Sequence, residues 1–216
     1  MAMHSWQKVS IFKSQSNLIQ NLLSDTLFVT PEMSLTEAWT IVMNQVKEAL
    51  AGSGHPFRYA TLATVDKKKS PLQRMVVLRD FSNGSEFTIY TDSRSNKVQQ
   101  INENENVSLL FYHNPKRLQL RVTGCATIVN SGEEYMQNWN SDGQKNPCSY
   151  TSVIPPGTKI RNPEEAFHWN MESKPNFCLI KIKVTYMEFL QLDGVKHIRA
   201  EKIVRDNNEI TSWIAP

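Results

Sequence analysis

Between residues 57 and 129 one pattern recurs: short apolar and β-branched runs, separated by stretches only long enough for a hairpin. Residues 58–65 read as a first strand, and the turn at 66–69 leads into a second over 73–78. The Ser82-Asn83-Gly84-Ser85 turn connects to a third over 86–91. After one short helix come strands at 107–112 and 117–129, joined by a turn at 113–116. Successive hairpins with a single helical interruption predict an antiparallel barrel.

The segment QRMVVLRDFSNGSEFTIYTDSRSNK, residues 73–97, carries the chemistry. Side chains alternate along a strand, so Arg74, Val76 and Leu78 share one face while Met75, Val77 and Arg79 share the other. Only one of these arginines is expected to face a given ligand. Past Thr91, one of Asp92, Ser93 or Ser95 is expected to cap a helix whose inward face bears Val98 and Ile101. Arg94 and Lys97 then lie in or beside its first turn, where cations oppose the helix dipole. An anion would offset that mismatch, and free N–H groups at a helix start suit a phosphate. Spacing alone is equally met by a solvated hairpin surface, because charged side chains mostly sit exposed.

Around this centre the chain is mainly β with flanking helices. Residues 1–30 read as an N-terminal extension with a short amphipathic turn near 16–23, and 31–216 as a single domain. Ser34 and Glu37 have capping-box spacing ahead of a helix that ends at Gly52-Ser-Gly54. Residues 131–140 read as a helix, 141–163 as a Pro/Gly/Ser-rich loop, and 163–172 as a short helix. The strand pattern returns over 176–192, turns at Asp193-Gly194 and comes back over 195–203.

Eight glycines, none in a GxGxxG or GxxxxGK pattern, argue against backbone-cradled phosphate sites. With a net charge of +3 and no basic run beyond Lys67-Lys68-Lys69 at a hairpin tip, no nucleic-acid partner is expected. Three cysteines without CxxC spacing and five scattered histidines give no metal site. No span or signal-peptide core stands out, so a soluble, cytoplasmic protein with reduced thiols and no membrane partner is expected.

Residues 74–79, then Phe87-Thr-Ile-Tyr90-Thr91, then Ser95-Asn96-Lys97, resemble the FMN-binding core of the pyridoxamine 5'-phosphate oxidase family, in particular a branch with a segment near TDSRSxK. The likeness continues through residues 102–111 and 117–124. It implies an antiparallel Greek-key split β-barrel that binds FMN and pairs as a homodimer, with the flavin in a groove between subunits. It further implies FMN contacts at Arg74, Met75, Val76, Val77, Leu78, Arg79, Tyr90, Thr91, Ser95, Asn96, Lys97, Gln119 and Arg199. Substrate contacts are implied at Tyr135, Ser149, Tyr150 and His197. The implied activity is an FMN-dependent oxidoreductase passing a hydride from a small substrate to the flavin. A flavin-storing protein without turnover, or a split barrel holding another ligand such as haem, remain alternatives.

Three positions depart from the authentic oxidases. Asn96 stands where they have arginine, with Arg94 two positions away. Leu190 replaces a flavin-packing tryptophan, and no arginine accompanies Tyr135 before Cys148. FMN binding is therefore a firmer expectation than oxidation of vitamin B6 phosphates.

Overall fold

The computed structural model describes residues 27–52, 54–205 and 208–216; the helical turn expected near 16–23 lies outside them. The described residues contain eight strands: β1 Tyr59–Val65, β2 Pro71–Ser82, β3 Glu86–Asp92, β4 Asn106–His113, β5 Leu118–Val129, β6 Phe177–Gln191, β7 Ile198–Arg205 and β8 Asn208–Ile214. The helices are α1 Leu35–Ala51, α2 Asn96–Glu103, α3 Glu133–Ser141 and the single turn α4 Cys148–Thr151. The sheet order is β3-β2-β1-β4-β5-β6-β7-β8, and β3 also pairs with β6. That pairing closes β1 to β6 into a barrel, all antiparallel. Because β4 returns beside β1, the first four strands form a Greek key.

Alternation explains the closure. Ala60, Leu62, Val76, Leu78, Phe87, Ile89, Leu109, Phe111, Leu120 and Val122 are all buried at every second position, and they fill one core. At the β5–β6 bulge Gly124 lies so close to the Lys183 carbonyl that any Cβ would strike it. A second, smaller core forms outside the barrel, where Phe177 and Leu179 are covered by Tyr135, Trp139 and Tyr150 from α3 and α4. The helix expected over 163–172 is a single 3-10 turn, Pro163–Ala166, after which Trp169 bridges back to Ser152.

The two mouths of the barrel differ. Helix α1 begins with the expected Ser34–Glu37 capping box and packs toward the end bearing Phe57, buried His113 and half-buried His55. There Gln191 Oε1 accepts from the Phe28 and Val29 N–H groups, each at 3.3 Å, so residues 28–29 join the core. Helix α2 covers the opposite mouth through Val98, Gln100 and Ile101.

At the α1 end the Phe57 N–H donates to His55 Nδ1 at 3.1 Å and the Lys116 N–H donates to His113 Nδ1 at 3.2 Å. Both bonds need an unprotonated Nδ1. Burial lowers both pKa values below the ordinary 6.5; at His113 neighbouring His55 and Lys116 add to it, while Glu48 pulls both the other way. A folded-state pKa below the unfolded one gives stability that is complete above about pH 6.5 and declines as pH falls. Urea midpoints should therefore drop between pH 7.5 and 5.5 more steeply for the native protein than for His113→Gln. Equal slopes would contradict this assignment.

Candidate functional site

At the α2 mouth four elements bring polar groups together in an otherwise apolar interior. Arg74, from β2, points to the barrel side: it donates from NH1 to Thr64 Oγ1 at 2.6 Å and from NH2 to Gln100 Oε1 at 3.0 Å. Lys97, in the first turn of α2, donates from Nζ to Thr91 Oγ1 at 2.9 Å. Thr91 Oγ1 lies 3.5 Å from Ser95 Oγ. Ser95 is the α2 N-cap residue, yet its hydroxyl makes no capping bond, which leaves first-turn amides available.

Neither Arg74 nor Lys97 has a carboxylate within ion-pair distance among the described residues, whereas Arg79 and Arg94 do. Burial depresses the pKa of both, and at Lys97 the charge of Arg74 adds to that effect. Two half-buried cations that repel each other are held here by neutral hydroxyl and amide partners. An anion seated between them would relieve both the desolvation and the repulsion. Beneath Lys97 the fully buried Cys178 thiol is pushed up to about 12 by burial, so it stays neutral and supplies no counter-charge.

The other expected contacts are distributed differently. Val76 and Leu78 point into the barrel, so any ligand contact from them is through main chain, while Met75 and Val77 face outward. Arg79 lies on the outer face, paired with Asp142 at 3.0 Å and 5.2 Å from the centre of the Tyr90 ring. Tyr90 donates to Asn138 Oδ1 at 2.6 Å. Arg94 is committed to Asp92, and Asn96 is exposed. Tyr135 and Tyr150 are buried in the outer core, Ser149 is exposed on α4, and exposed His197 accepts the Asp193 N–H within the β6–β7 turn.

Gln119, Leu190 and Arg199 form one lateral row on the outer face of β5, β6 and β7. Leu118 pairs with His113, so this row is near the α1 mouth, away from Lys97. Arg199 is bonded at 2.9 Å to the buried Glu188, which also takes Arg121 at 2.6 Å. Sequence reasoning missed Thr64 and Gln100. Thr64 is a polar residue in the inward register of Ala60 and Leu62, and Gln100 is one turn after Lys97, which is the signal that would have found them.

Residues 36–130 match the family described as the pyridoxamine 5'-phosphate oxidase FMN-binding domain. A pyridoxine/pyridoxamine 5'-phosphate oxidase of Aliivibrio salmonicida is 42% identical over 66 residues, 31% of each chain. One from Shewanella pealeana is 35% identical over 103 residues, covering 47% of this chain and 44% of the relative. The chain thus matches less than half of the length of these curated relatives. Among solved structures, a pyridoxamine 5'-phosphate oxidase-related, FMN binding protein from Nostoc punctiforme superposes with a TM-score of 0.68 at 23% identity, over 85% of this chain and 100% of that one. PhzG from Burkholderia lata, solved with tetrahydrophenazine-1-carboxylic acid, gives 0.66 at 17% identity, over 82% and 92%. These two likenesses establish the split-barrel fold.

Tyr90 tests the local geometry. Burial first, then Asp142, push its pKa up to about 12, with Arg79 opposing. A phenol whose folded pKa exceeds its ordinary 10 gives stability that is complete below about pH 10 and is lost as pH rises towards 12. Tyr90→Phe should cost about 1 kcal/mol at pH 7, by loss of the bond to Asn138. It should also weaken the alkaline loss of stability in urea titrations; an unchanged alkaline limb would place the titration elsewhere.

Proposed function

We propose that this protein binds FMN through its phosphate and acts as an FMN-dependent oxidoreductase on a small substrate. The observation that carries the reading is the Arg74–Lys97 pair: two desolvated cations without a carboxylate partner, beside Thr91 and Ser95 and the first turn of α2. These residues fit a phosphate dianion in charge and in donors. Bound FMN would supply hydride-accepting chemistry. The protein's part is to anchor the phosphate and orient the ring, and the fixed positive charge at Arg74 and Lys97 selects the phosphorylated flavin over riboflavin.

The match of residues 36–130 to an FMN-binding family favours FMN over haem, whose propionates could also meet paired cations. Turnover is supported by the match of residues 36–130 to the family and by the relatives' names. The substrate is read as one without a phosphate. Arg79, Arg94, Arg121 and Arg199 are each already paired with a carboxylate, and Tyr135 is buried in the outer core.

The second half of the reading is a homodimer. The Arg74–Lys97 cradle and the Gln119–Arg199 row are near opposite mouths of one barrel, so a single flavin could meet both only with a second copy contributing one of them. Between them the outer faces of β2, β1 and β4 present exposed Met75, Tyr59, Leu110 and Tyr112. An apolar face of this kind suits an isologous contact with another copy of the chain.

Titrations with FMN and riboflavin test the phosphate site. The native protein should prefer FMN. Arg74→Ala and Lys97→Ala should each weaken FMN binding by about 1.5–3 kcal/mol, roughly 10- to 150-fold, and leave riboflavin affinity unchanged. Equal affinity of the native protein for the two flavins would overturn the assignment. Sedimentation tests the dimer: Met75→Glu with Leu110→Glu should give a folded monomer that retains FMN poorly, and a native monomer that binds FMN tightly would refute the shared site.

A further inference from the structure

The segment from residue 152 to 169 closes on itself. Ser152 and Trp169 form an isolated antiparallel bridge, the Val153 N–H donates to the His168 carbonyl at 2.8 Å, and the Asn170 N–H donates to the Thr151 carbonyl at 2.9 Å. One side chain from elsewhere in the fold grips this loop at its neck. Arg94 donates from NH2 to the Ser152 carbonyl at 2.8 Å and from NH1 to the Val153 carbonyl at 3.4 Å.

The same guanidinium is anchored from behind. Its Nε and NH2 donate to the two oxygens of Asp92 at 3.1 and 2.7 Å, and the Asp92 side chain is only 4% exposed. Four of the five N–H donors of Arg94 are therefore engaged. Farther along the loop, Gly157 adopts φ 89° and packs on Asn96, where an added Cβ would stand 3.4 Å from Nδ2. The loop thus runs past residues 94–96, which lead directly into the turn that carries Lys97.

From this geometry we infer that Arg94 is a positioning residue: it latches the 152–169 loop beside the first turn of α2 and so slows departure of a ligand held by Arg74 and Lys97. The inference rests on the flavin reading of that pair. Asp92 cancels the Arg94 charge, so the arginine closest in sequence to the missing family arginine serves the loop and not the phosphate. Lysine cannot replace it, because a single ammonium lacks the planar fork that spans a carboxylate and two carbonyls.

Two readouts test the latch in the full-length protein. Lys159 and Arg161 lie within the loop, so limited trypsin digestion reports its release. In Arg94→Ala and Arg94→Lys, cleavage at these two sites should be at least tenfold faster than in the native protein, with cleavage elsewhere unchanged. Dissociation of FMN and of riboflavin should accelerate by the same factor, about three- to tenfold, unlike Lys97→Ala, which should affect FMN alone. Unchanged loop cleavage in both variants would overturn the latch. Faster release of FMN alone would make Arg94 a phosphate ligand and overturn the positioning role. If the native protein takes up neither flavin, the ligand-retention part falls with the reading beneath it, and the cleavage rates alone decide whether Arg94 holds the loop.

Discussion

The α2 mouth of the barrel depends on an electrostatic imbalance. Arg74 and Lys97 are drawn into a half-buried corner and held by Thr64, Gln100 and Thr91, none of which carries charge. Solvated cations would be indifferent to such a place; these two are disfavoured in it by burial and, for Lys97, by each other. Other arginines show the opposite arrangement, with Arg79 on Asp142 and Arg94 on Asp92 and, toward the other mouth, Arg121 and Arg199 sharing Glu188. The imbalance is therefore local, and it supports the proposed phosphate partner.

Barrel closure is what brings the corner together. Pairing of β3 with β6 fixes Thr91 opposite Cys178, and pairing of β1 with β2 fixes Arg74 opposite Leu62, so strands distant in sequence meet beneath α2. The same closure turns Phe177 and Leu179 outward, where α3 and α4 cover them and carry Asn138 and Asp142 to Tyr90 and Arg79. One sheet thus organises an inner charged corner and an outer aromatic patch on adjacent residues of β3.

Much of this was legible in the chain. The alternation of apolar residues gave the barrel strands, and the Ser34–Glu37 spacing gave the α1 cap that the structure contains. Alternation also separated Arg74 from Arg79, which do lie on opposite faces of β2. Strand β8 was not read, because Asn208–Ile214 offers only a short run with its apolar residues partly exposed, and its pairing with β7 is what makes it a strand. Partner choice was hidden for a different reason. Arg79 and Asp142 are 63 positions apart, and Arg121 and Glu188 are 67 apart, so no local pattern reveals which cations are already neutralised. The role of Arg94 was obscured likewise, since its loop partners are 58 and 59 positions away.

The most direct test of the proposed phosphate site is the phosphorus resonance of FMN bound to the protein, followed by NMR between pH 5 and 8. Free phosphomonoester groups take up their second proton near pH 6. Seated between Arg74 and Lys97, the phosphate should remain a dianion across this range, its resonance nearly independent of pH. A bound FMN whose phosphate titrates as it does in free solution would contradict the account, because its charge would then lie outside the corner that the two cations define.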